Sequence, residues 1–155
     1  MSEPLISATS LAAIIEDPDV VVADCRWYLG RPTDGRKAHR EGHLPRARFV
    51  SLDDDLSGPT GPGRHPLPTP EAFADAMARL GVTPRSTVVA YDDCGGAVAA
   101  RLWWMLTQQG YRASVLDGGI QAWTRAGFAL SAGDEPDPRS PQEEVAFARP
   151  CWAAF

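Results

Sequence analysis

The six residues Asp92-Asp93-Cys94-Gly95-Gly96-Ala97 bring one thiol, two carboxylates and two glycines together. Before them lies a short β-branched run, Thr87 to Tyr91, and after them a helical pattern from Ala99 to Gln109. A cysteine at such a strand-to-helix junction can become a nucleophile. The free N–H groups and the dipole of the following helix favour an anion, and glycine tolerates the positive φ angles that curl backbone amides inward. Cys94 is therefore the candidate catalytic thiol, with Gly95, Gly96, Ala97 and Val98 as a cradle for a bound anion. Asp92 and Asp93 act against it, since neighbouring negative charge disfavours a thiolate.

Other residues invite weaker readings. Arg26 can hold an anionic substrate or pair with Asp24, and Arg101, at the start of a helix where a cation gains nothing from the dipole, calls for a carboxylate or anion partner. Asp92 and Asp93 are the expected partners of Arg101. Cys25 to Arg31 has the Cys-x5-Arg spacing of a phosphate-binding loop. Its bulky Trp27, Tyr28 and Leu29, and Pro32 where the helix should start, make that spacing a coincidence. His39 and His43 stand four apart without a further ligand and read as surface histidines, so no metal is expected. Trp103 and Trp104 read as packing residues, and no cofactor motif occurs.

The elements that must position these residues alternate. Ser7 to Asp17 has Leu11, Ile14 and Ile15 on one helical face, and Val20 to Ala23 is a buried-type strand. Gly58 to Pro70 is a Pro- and Gly-rich loop. Thr69-Pro70-Glu71 then starts a helix that stops at Gly81, with Phe73, Met77 and Leu80 as its apolar stripe. After the helix ending near Gly110 come a strand from Ala113 to Leu116, a Gly118-Gly119 turn and a helix from Ile120 to Ala126. Such alternation predicts an α/β domain with a largely parallel sheet, whose ligand loops lie beyond the carboxyl ends of the strands.

At 155 residues the chain suits one domain, residues 1–130, followed by a linker-like tail over 131–155. A net charge of -5 with no basic run argues against nucleic acid. The absence of a long apolar stretch argues against the membrane, and the amino terminus lacks the pattern of an export signal. The three cysteines form no CxxC pair, so a reduced, cytoplasmic setting is expected.

Four separated motifs add a family resemblance. Asp24-Cys25-Arg26-Trp27-Tyr28-Leu29-Gly30, Glu41-Gly42-His43-Leu44-Pro45-Arg46-Ala47, Val88 to Asp92 with Ala100 to Leu106, and Leu116-Asp117-Gly118-Gly119 with Trp123 resemble the rhodanese-like sulfurtransferases. They are most similar to the amino-terminal module of the tandem thiosulfate/3-mercaptopyruvate enzymes. The resemblance implies a three-layer fold with a five-stranded parallel sheet flanked by helices. It implies sulfane-sulfur transfer through a cysteine persulfide, from a small sulfur-containing anion to cyanide or a thiol, with no cofactor. In active modules a cysteine directly after the central strand opens the persulfide loop. Here that place falls on Asp92 or Asp93, with Cys94 displaced by one or two residues. In tandem enzymes the amino-terminal module usually lacks the cysteine and partners the other, so the implied alternative is an inactive docking or regulatory module. Its partner would be another rhodanese module or a protein thiol acceptor. One module is present, as expected of a single-module protein or of a fragment of a longer one.

Overall fold

In a computed structural model of the chain, residues 3–59 and 61–135 are described. Among these described residues five helices and five strands run in the order β1 (Leu5–Ile6), α1 (Ala8–Ile14), β2 (Val20–Asp24), α2 (Asp34–Glu41), β3 (Arg48–Phe49), α3 (Pro70–Leu80), β4 (Thr87–Tyr91), α4 (Ala99–Gln108), β5 (Arg112–Leu116) and α5 (Gly119–Arg125). The strands form one sheet in the order β1-β5-β4-β2-β3, and every neighbouring pair is parallel. β4 lies at the centre, between β2 and β5, as the apolar runs of these three strands require.

Side chains alternate across the sheet, so each central strand feeds two cores. Val22, Val89 and Tyr91 face Leu11 of α1 and Trp123 of α5. Ala23, Val88 and Ala90 face Met77 of α3 and Leu102, Met105 and Leu106 of α4. The helix boundaries follow local chemistry. The Thr69 hydroxyl accepts the Ala72 N–H at 3.2 Å, Pro70 occupies the first turn, and Gly81 ends α3 at φ 85°. Ser7 caps α1 in the same way through the Ser10 N–H.

Three elements were not expected from the residues alone. β1 and β3 are two-residue edge strands, too short to carry an alternation. α2, Asp-Gly-Arg-Lys-Ala-His-Arg-Glu, has one apolar side chain, and its buried positions are Gly35 and His39. A Cβ at Gly35 would collide with the Arg26 carbonyl, so glycine lets this polar helix lie close to the end of β2.

The histidine reading is corrected here: His39 and His43 are buried, and their rings stack at 4.2 Å. His39 Nδ1 bonds Asp24 at 3.0 Å, and the two ring nitrogens of His43 meet the Leu44 and Gly133 carbonyls. His43 also pairs with Ser131 through two backbone hydrogen bonds, which hold residues 131–135 against the domain. The rest of the expected tail, residues 136–155 and Cys151 with it, lies outside the described residues. Among the described residues no helix is long and apolar enough to cross a membrane.

Candidate functional site

Parallel pairing places Asp24, at the end of β2, beside Tyr91, at the end of β4. Asp92 is thus the first residue beyond the central strand, and Val98 and Ala99 open α4. Gly95 and Gly96 take φ values of 74° and 87°, which turn the chain back on itself. The loop amides converge on one point, as a nest before a helix should.

What they converge on is the Asp92 carboxylate. Its Oδ1 accepts the N–H groups of Cys94 (3.1 Å) and Gly96 (2.8 Å), and its Oδ2 accepts those of Val98 and Ala99 (both 2.9 Å). Asp92 is fully buried. Four N–H donors and the positive end of α4 thus surround one negative charge. The anion is the protein's own side chain. On the other side of the loop the Asp92 carbonyl accepts the Ile120 N–H at 3.1 Å, and Gly119 packs against it, so the Asp117-Gly118-Gly119 turn locks the loop onto α5.

Cys94 sits on the rim of the nest and is exposed. Partial burial and the negative charges of Asp92 and Asp93 push its thiol above the usual cysteine range, and a facing Val98 N–H offsets only part of this. Asp93 points elsewhere: its Oδ2 accepts the Tyr28 hydroxyl at 2.6 Å, and its carbonyl accepts the Gln121 side chain at 2.8 Å. Burial and that carboxylate push the Tyr28 hydroxyl up to about 12. Ala97 is exposed. Cys25 is fully buried, and desolvation raises its thiol well above the ordinary value, which removes the Cys-x5-Arg loop as a nucleophile site. Arg31 of that spacing is exposed and pairs with Asp34.

Neither candidate arginine enters the nest. Arg26 is buried, with its Nε and Nη2 on Asp24 and its Nη2 also on the Gly42 carbonyl at 2.6 Å. Burial works to raise the Asp24 carboxyl, but hydrogen bonds from His39 and Arg26 outweigh it and hold Asp24 below the ordinary carboxylate value. Arg101 bonds the carbonyls of Leu56 (3.0 Å) and His65 (2.7 Å), which corrects the expectation of an Asp92 or Asp93 partner. Its role is to pin the long loop over α4. Two residues the sequence did not single out, Asp53 before this loop and His65 within it, meet Trp27: the indole donates to Asp53 at 3.0 Å and meets the His65 ring edge-on at 5.2 Å. Trp103 packs on the α3–α4 core, and Trp104 is partly exposed. Among the described residues no three His, Cys, Asp or Glu side chains are placed to hold a metal ion.

The model of the Rhodanese-like domain matches residues 7–126. The chain belongs to the rhodanese-like family. Among its relatives, a Pseudomonas aeruginosa protein named "Probable 3-mercaptopyruvate sulfurtransferase" is 45% identical over 138 residues, covering 86% of this chain and 49% of that protein. The human 3-mercaptopyruvate sulfurtransferase is 38% identical over 143 residues, covering 86% of this chain and 48% of the human one. In solved structures, the 3-mercaptopyruvate sulfurtransferase from Leishmania major superposes with a TM-score of 0.82 at 31% identity, covering 94% of this chain and 41% of that one. The crystal structure of SseA from Escherichia coli gives 0.81 at 33%, covering 95% and 56%. This rhodanese domain is thus similar to one part of proteins named 3-mercaptopyruvate sulfurtransferases, and the chain spans about half the length of the relatives it matches.

Proposed function

We propose that the protein works in sulfane-sulfur transfer of the thiosulfate/3-mercaptopyruvate type, and that this domain serves there as a rhodanese module that does not itself carry the sulfur. The observation behind this reading is the Asp92 carboxylate in the nest. A persulfide anion needs inward-facing N–H groups, and here Asp92 takes those of Cys94, Gly96, Val98 and Ala99. The sulfur-carrying thiol then comes from a partner, either a second rhodanese module or a protein thiol. The roughly doubled length of the relatives supports the first. A reducing, cytoplasmic setting suits the free thiols of Cys25 and Cys94.

A second reading rests on the exposure of Cys94. Its thiolate would attack the sulfane sulfur of thiosulfate, the S–S bond would break with its electron pair leaving on sulfite, and a persulfide would form. Attack by cyanide or a thiolate on the outer sulfur would then regenerate Cys94. The raised thiol and the two adjacent carboxylates weigh against this route.

Intact-protein mass spectrometry after exposure to thiosulfate or 3-mercaptopyruvate separates the two. The first reading expects no added sulfur on the wild type and one on Asp92→Cys, whose thiol takes the carboxylate's place in the nest. One added sulfur on the wild type that disappears in Cys94→Ser would overturn it in favour of Cys94.

A further inference from the structure

Away from the loop, a groove of about 510 Å³ lies beside the β3 edge of the sheet, between α2 and α3. Four arginines line it: Arg36 and Arg40 from α2, Arg48 from β3, and Arg79 from α3. In a chain of net charge -5, four guanidinium groups around one hollow outnumber the three carboxylates of Asp55, Asp134 and Glu135 that line it with them.

Three acidic groups share the groove, and the contacts show what they do. Asp55 bonds Arg79 at 3.1 Å and Asp134 bonds Arg40 at 3.2 Å, so each anchors one arginine by one nitrogen and leaves the remaining N–H groups of that fork. Glu135 stands 3.7 Å from His43. Arg36 lies over the Phe49 ring at 4.8 Å and, among the described residues, has no ion pair. Of the apolar residues at the groove, Val50, Met77 and Leu80 are buried in the core, and only Phe49 is half-buried, under Arg36.

We propose that this groove binds a small organic anion with two or more carboxylates. Guanidinium forks on the α2 and α3 walls match carboxylates at the two ends of such a molecule. The volume suits a ligand of this size and falls within the usual range for small-molecule sites. Inorganic phosphate offers one compact anionic centre where this ligand class offers two or more, so it engages fewer of the four guanidinium groups at once.

Isothermal titration calorimetry of the full chain with citrate at low ionic strength tests this. Saturable one-to-one binding is expected. It should weaken about tenfold in Arg36→Gln and further in Arg36→Gln/Arg79→Gln, as loss of one charge-assisted pair per arginine predicts. Both side chains are exposed, so folding is checked simply by comparing circular-dichroism melting curves. Arg125→Gln, outside the groove, should change the affinity less than twofold. The proposal is overturned by the absence of saturable binding, by equal affinity in the double variant, or by phosphate binding as tightly as citrate.

Discussion

Replacing Asp92 with Asn keeps the shape of the side chain and turns one of its two acceptors into a donor. Four N–H groups depend on this carboxylate, two on each oxygen. The amide will turn its remaining oxygen to the buried pair, Val98 and Ala99, because no water reaches them. Its NH2 then faces the N–H groups of Cys94 and Gly96, which are only partly buried. An orphaned donor costs about 1–3 kcal/mol, and partial access to water puts these two near the lower figure, about 2 kcal/mol together. Losing the ionic reinforcement of the inner pair and of the α4 dipole adds about 1 kcal/mol. With a urea slope of about 2 kcal/mol/M, the sum of about 3 kcal/mol moves the unfolding midpoint down by about 1.5 M. Urea titration followed by far-UV circular dichroism reads this directly. Asp93→Asn is the matched control, since its amide oxygen still accepts the Tyr28 hydroxyl, and it should move the midpoint by less than about 0.5 M. Equal shifts in the two variants would refute the assignment of the nest to Asp92.

Cys94 should react with iodoacetamide more slowly at neutral pH than a free thiol, because only the thiolate reacts and burial with the Asp92 charge disfavours it. The pH–rate profile should sit above the ordinary thiol range and move down in Asp92→Asn; a profile below that range would contradict the electrostatics. Leu102→Ala, in the α4 core, should cost about 2–5 kcal/mol in the same urea assay, and a cost below about 1 kcal/mol would mean that α4 is not packed as described. Asp24 gives the acid limb. Its folded carboxyl lies below the unfolded value of 3.8, so the unfolded chain binds the extra proton between the two values. Its contribution is complete above about pH 4–5 and is lost as pH falls through the folded value, so Asp24→Asn should flatten the acid limb of a stability-versus-pH curve.

The legible part of the fold was the part driven by apolar burial. Val20 to Ala23, Thr87 to Tyr91 and Ala113 to Leu116 are short apolar runs because both faces of a central parallel strand are covered, and the Thr69-Pro70 start and Gly81 stop of α3 are local chemistry. α2 was illegible for the opposite reason: its inner face is a glycine and a histidine, held by contact with the Arg26 carbonyl and by the Asp24 carboxylate rather than by an apolar stripe. The candidate site divides along the same line. That the amides before α4 form a nest follows from Gly95, Gly96 and the helix start, all local features. Which charge fills the nest depends on where β4 ends. An end one residue later would have made Asp93 the residue at the nest and left Asp92 in the ladder. The pairing of Asp24 with Tyr91 sets that end, and it is a long-range fact carried by the sheet. Cys94 stands two residues beyond Asp92, so the register that seats Asp92 among the amides leaves the thiol on the rim of the nest.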